Sequence, residues 1–307
     1  MPQRHVHILL FIMIASLACY ERASGRYEPY TTLFTQVIEQ VDQNYVTEVD
    51  LNELVQSSIT GLLEPLDEHT AFIPPVQYNQ FQEGLEQKFG GVGIQVRVDD
   101  ETKQLLVVSP LVGTPAYEAG IVAGDLVVEV DDKPTAEMSL EDAVMLMKGA
   151  PGEPVTLSIL HPGAESPVDV EIERAIIEVD TVLGDSRDEN DQWNYFLAGD
   201  DKIGYIRIVA FSEKTIDELD KALDWLEARD VQALILDLRN NPGGYLDAAV
   251  EVCDRFVDEG VIVSTRGRRR QEVVHMASSE NTRLRVPMVV MVNNNSASAS
   301  EIVAACL

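Results

Sequence analysis

A chain of 307 residues is long enough for two domains, and a hydrophobic content of 45% excludes general disorder. Asp and Glu outnumber Lys and Arg by 52 to 23, leaving a formal charge of −29. A surface this acidic repels phosphate backbones and anionic lipid, which argues against nucleic acid as a partner.

Arg4 precedes an apolar stretch, Ile8 to Leu17, that is too short to span a bilayer comfortably, and Ser16-Leu17-Ala18 offers a small-residue cleavage site. Residues 1–24 are therefore read as a secretory signal peptide, with an uncleaved membrane anchor as the alternative. Leu17-Ala18-Cys19 is a weak match to a lipoprotein site, because Ser16 is not aliphatic. Residues 25–87 form a helical segment. Leu33, Phe34, Val37, Ile38 and Val41 share one helical face, and a second helix starts at Asp50 with Glu53 completing a capping-box-like start. Pro65-Leu66-Asp67-Glu68-His69 and Pro74-Pro75 interrupt the helices, and a third helix is expected from Val76 to Gln87.

The period changes at Phe89. Residues 88–174 read as a compact α+β module, roughly 85 residues and within the range of one small domain. Gly90 to Val98 alternates as a strand following a glycine turn, Leu105 to Val108 is a second strand, and Thr114 to Gly120 is a short helix stopped by glycine. Asp125 to Val130 is a strand, Ser139 caps a helix from Leu140 to Met147, and Val155–Leu160 with Val168–Ile172 forms a closing hairpin.

In residues 175–307 strands alternate with helices, which argues for an α/β layer. The acidic stretch Gly184 to Asp191 reads as an exposed loop. Strands are expected at 203–209, 233–238, 261–264 and 288–292, and helices at 214–228 and 246–256. The basic run Arg266 to Arg270 reads as a solvated hairpin turn. Cys253 and Cys306 read as buried free thiols, and the five histidines lack ligand spacing, so neither a metal nor a cofactor is expected.

Two strand–turn–helix units end in unusual turns, Asp237-Leu-Arg-Asn-Asn-Pro-Gly-Gly244 and Asn293 to Glu301. Catalytic groups in open α/β sheets gather beyond the carboxyl ends of strands. If the two strands are neighbours, the Gly244 and Ala299 N–H groups flank the Ser298 hydroxyl, as acyl transfer requires. The competing reading is structural: Ser298-Ala-Ser-Glu301 fits a capping box, and Asn-Pro-Gly-Gly fits a plain turn. Gly91-Val92-Gly93 is no dinucleotide fingerprint, since Val96 occupies the third glycine position.

Taken in order, Leu66-Asp67-Glu68-His69-Thr70-Ala71-Phe72, Phe89 to Val96, Ala119 to Asp125, Asp237 to Gly244 and Ser296 to Ile302 make the chain resemble the C-terminal processing (tail-specific) peptidases from about Tyr30 onward. The resemblance implies an α/β plus α+β architecture: a helical segment, a PDZ-like domain, and part of a Clp-protease/crotonase-like protease core. It implies Ser298 as nucleophile, with Gly244 and Ala299 as oxyanion hole. It also implies that Gly91, Val92, Gly93 and Ile94 receive a peptide C-terminus. Unfolded or tagged polypeptides with apolar C-termini are the implied substrates, and the bacterial periplasm or cell envelope the implied location. A homo-oligomer is left open. The general base of the family is a lysine that has no match up to Leu307, so the fragment is expected to be inactive. The alternative function is a non-catalytic PDZ-type adaptor or pseudo-protease.

Overall fold

The computed structural model describes residues 27–99, 102–189 and 192–307, so the leader reading for residues 1–24 lies outside the described residues. The chain divides into two units, Met1–Tyr78 and Asn79–Leu307. In the first unit, α1 (Glu28–Asn44) and α2 (Leu51–Leu63) form as expected. Asp50 caps α2, its Oδ1 accepting from the Asn52 N–H at 2.7 Å. The apolar stripe of α1 does not become core. Neither helix has a buried residue, and Leu33 and Val37 are more than half exposed. Helical period signals a face that can be buried, but burial needs a packed partner. No described helix is long and apolar enough to cross a membrane.

A third helix, α3 (Pro75–Glu86), leads into the second unit. There the elements run β1 (Lys88–Gly91), β2 (Ile94–Val98), β3 (Leu105–Pro110), α4 (Pro115–Glu118), β4 (Leu126–Val130), β5 (Lys133–Pro134), α5 (Leu140–Met147), β6 (Pro154–Leu160) and β7 (Val168–Glu173). Strands β2-β3-β4-β6-β7 form one antiparallel sheet, with β5 paired to β4. Its core holds Val92, Leu105, Val107, Val127, Val155, Leu157 and Ile159. The glycine segment departs from the expected single strand. Lys88–Gly91 pairs instead with β8 (Ala175–Glu178), and the chain breaks before β2. Gly93 makes the break. It has φ +82°, and any Cβ there would sit 2.4 Å from Thr114.

The remaining elements are β9 (Val182–Leu183), β10 (Ser186–Arg187), β11 (Trp193–Asn194), β12 (Ile203–Ile208), α6 (Thr215–Glu227), β13 (Ala233–Asp237), α7 (Leu246–Asp254), β14 (Glu259–Gly267), β15 (Arg270–Ser278), β16 (Met288–Met291) and α8 (Ala299–Cys306). They build a four-stranded sheet in the order β16-β13-β12-β9, parallel among the first three strands. The acidic stretch is not wholly loop, because Ser186–Arg187 pairs with Trp193–Asn194. Arg187 stacks on the Trp193 ring at 4.1 Å, and Asp180 accepts from the Trp193 indole N–H at 2.9 Å. The arginine-rich turn closes the β14–β15 hairpin. Leu219, Leu223 and Leu226 of α6 pack with Ile206, Leu234, Leu236, Ala249, Val252, Ala299 and Val303 in a second core. The mixed architecture is the α/β class expected. Ala299 and Val303 matter most for the site, because they seat the start of α8 in that core.

Candidate active site

Strands β13 and β16 are hydrogen-bonded neighbours, with Asp237 opposite Met291, so the turns that follow them leave one end of the sheet together. Asparagines stitch the turns side by side. The Asn240 N–H donates to Asn293 Oδ1 at 2.9 Å, while Asn240 Oδ1 accepts from the Asn293 and Asn295 side-chain amides at 2.8 and 3.0 Å. Asn240 takes φ +60°, a conformation that asparagine tolerates better than most residues. The Ser296 hydroxyl donates to the Leu238 carbonyl at 2.8 Å.

Ser298 sits where the second turn enters α8, with φ 54° and ψ −115° instead of the extended backbone of an ordinary cap. Glu301 accepts from the Ser298 N–H at 2.7 Å, as in a capping box. The reciprocal half is present too: the Ser298 side chain faces the Glu301 N–H, which also reaches the Ser298 carbonyl at 3.0 Å. The hydroxyl-bearing residue is exposed, whereas Ala299 and Ser300 behind it are buried. A serine at positive φ costs of order 1–3 kcal/mol and persists only where neighbours over-determine it.

Gly243 is such a neighbour. At Gly243, φ +104°, a Cβ would lie 2.8 Å from Ser298 Cβ and 3.0 Å from the Ala299 nitrogen, so only glycine lets the turns touch. The Gly243 N–H is taken by Asn241 Oδ1 at 2.8 Å, and the Ala297 N–H by the Asn241 carbonyl at 3.1 Å. The Tyr245 N–H goes to the Phe211 carbonyl at 2.8 Å. By contrast, the N–H groups of Gly244 and Ala299 meet no acceptor among the described residues. Two unpaired donors beside a strained, exposed serine form an arrangement able to hold a developing oxyanion. A groove of about 640 Å³ borders Ser298, walled by Val261, Val263, Ile302, Ala305 and Cys306.

Asp237, fully buried at the foot of the first turn, is held by Arg239 through Nε at 2.9 Å and by the Tyr205 hydroxyl at 2.7 Å. Burial alone would raise its pKa, but these bonds and one from the Arg239 N–H outweigh it and hold the carboxyl down at about 2. Burial, and then the neighbouring Cys306, push the Cys253 thiol well up, so it stays protonated and unreactive. No hydrogen bond joins the Ser298 hydroxyl to His275 or to any lysine among the described residues.

The loop at Gly91, Val92, Gly93 and Ile94 does not border this groove. It lies beside β2, one of the two edge strands of its sheet. The Val92 carbonyl accepts from the Ala116 N–H at 2.9 Å and the Gly93 carbonyl from the Leu111 N–H at 2.8 Å. The buried Val92 and Gly93 N–H groups meet no acceptor among the described residues. Asp237, Asn241 and Ser300 lie inside the two turns that the sequence marks as unusual but receive no role there, and Tyr205 carries no local signal.

The model of Peptidase family S41 matches residues 202–307 and that of the PDZ domain residues 106–160. A carboxy-terminal-processing protease of Bartonella bacilliformis is 37% identical over 279 residues, covering 89% of this chain. The chain belongs to the C-terminal processing peptidase family. Carboxy-terminal processing protease CtpA of Bacillus subtilis, another relative, is 31% identical over 98% of this chain. The chain spans 61% of the length of each of these two relatives. A putative S41 protease from Bacteroides fragilis has the same fold, with a TM-score of 0.50 at 17% identity over 86% of this chain and 76% of its own. The S41 match includes Gly244, Ser298 and Ala299, whereas the PDZ match begins after the loop at 91–94.

Proposed function

We propose that this chain forms part of a serine endopeptidase that binds the free C-terminus of a polypeptide through its PDZ domain and cleaves the polypeptide at Ser298. The observation that carries the reading is the pair of unpaired N–H groups, Gly244 and Ala299, beside a serine at φ 54°. Ser298 Oγ attacks the scissile carbonyl carbon, and the carbonyl oxygen takes up negative charge between the two N–H groups. The serine proton passes to a general base and on to the departing amine, leaving an acyl-enzyme that water hydrolyses. In the family this base is a lysine, kept neutral by a desolvated site, and it has no counterpart within residues 1–307. The substrate's terminal carboxylate binds the Val92 and Gly93 N–H groups while its chain adds to the β2 edge. Unfolded or tagged chains with apolar C-termini suit this mode. The apolar leader at 8–17 supports export to the periplasm or cell envelope.

The test uses the full-length gene product and peptides with free and amidated C-termini. Wild type is expected to cleave the free form, Ser298→Ala to lower kcat by roughly 10⁴-fold or more, and amidation to raise KM. Equal rates for wild type and Ser298→Ala would sink the assignment.

A further inference from the structure

We propose that Asn241 and Ser300 are positioning residues that hold both oxyanion donors in register. The inference rests on the reading of Ser298 as nucleophile. Asn241 is fully buried and joins three segments of chain. Its side-chain amide donates to the Ile208 carbonyl at the end of β12 at 2.8 Å, and its Oδ1 accepts from the Gly243 N–H at 2.8 Å. Its backbone carbonyl accepts from the Ala297 N–H at 3.1 Å and from the Ser300 hydroxyl at 2.9 Å.

These bonds act on the two donors from either side. Ala297 and Ser300, which bracket Ala299, are both tied to one oxygen, so the Ala299 peptide cannot rotate without breaking a buried bond. On the other turn, Asn241 Oδ1 occupies the Gly243 N–H and leaves the next one, that of Gly244, for the substrate. The direction of the Ser300 hydroxyl is informative. A serine in the first turn of a helix usually bonds its own neighbouring backbone. Ser300 instead reaches a carbonyl 59 positions away in sequence, across the gap between the two turns. A preorganised hole gains its effect because the donors need not reorient as charge develops. Loosening this tie is therefore expected to slow the chemical step without weakening substrate binding.

The test compares wild type, Ser300→Ala and Ser300→Cys in the full-length protein. Ser300→Ala removes the hydroxyl, leaves the Asn241 carbonyl its Ala297 partner and adds no volume. It is expected to lower kcat about tenfold, a fraction of what losing a whole oxyanion donor costs, with KM within twofold. The affinity for a peptide aldehyde, whose adduct places an oxyanion in the hole, is expected to fall by the same factor. Ser300→Cys, which restores a weak donor, is expected to recover part of the rate. An unchanged kcat, or kcat and KM moving together, would overturn the inference. So would failure of both variants to fold, since the tie would then be structural. Absence of hydrolysis by wild type would instead remove the proposed function itself.

Discussion

Gly244 takes φ +145°, and a Cβ there would lie 2.1 Å from the Phe211 carbonyl oxygen, which accepts from the Tyr245 N–H. Alanine must therefore distort both the turn and its bridge to Phe211. Gly244→Ala is expected to destabilise the fold by about 2 kcal/mol or more, measured by urea unfolding, and to abolish hydrolysis in the full-length protein. Asp237 makes a second residue-scale prediction. Its folded pKa of about 2 lies below the ordinary 3.8, so its contribution is complete above pH 3.8 and is lost as pH falls toward 2. The loss is about 1–2 kcal/mol, since solvent screens the part-exposed Arg239 side of the pair. Urea midpoints between pH 6 and pH 2 should show this limb in wild type. Asp237→Asn should lack it.

At the scale of elements, one two-residue strand shows how side chains substitute for length. Strand β9 has two residues, too few for any alternation to appear in sequence. It is fastened to the sheet edge by Glu218 of α6, whose Oε2 accepts from the Thr181 N–H and hydroxyl, both at 2.7 Å, and from the Val182 N–H at 3.1 Å. Lys214 balances the charge at 3.2 Å. Glu218→Gln keeps the size but gives up the charge-assisted bonds. It is expected to cost about 1–2 kcal/mol and to speed amide exchange at Thr181 and Val182. Exchange rates unchanged from wild type would show that β9 is held by its ladder to β12. The longer elements were legible because each repeats its period several times. Strands β12 and β13 and helices α6 and α7 lie within two residues of their expected bounds.

For the molecule as a whole, the charge of −29 means that folding gathers like charges. Raising ionic strength from about 0.01 to 0.15 M shortens the Debye length from roughly 30 to 8 Å and screens that repulsion more than it weakens close pairs. The melting temperature at pH 7 is expected to rise over this range. A fall would mean that local pairs, such as those of Arg283 with Asp224 and Glu227, outweigh the repulsion.

Short-range signals were sufficient for the longer elements, the two unusual turns, and Ser298, Gly244 and Ala299 as candidates, since glycine turns and capping patterns are properties of a few adjacent residues. What makes those candidates a site is non-local. Pairing of β13 with β16 sets Gly243 against Ser298 across more than fifty residues of chain. The same contact is compatible with φ 54° at a serine that a local pattern treats as an extended cap. Asn241 then settles which glycine N–H stays unpaired, because its side chain takes one and leaves the other. Local pattern can nominate a donor. Only the packed structure decides whether another group has already claimed it.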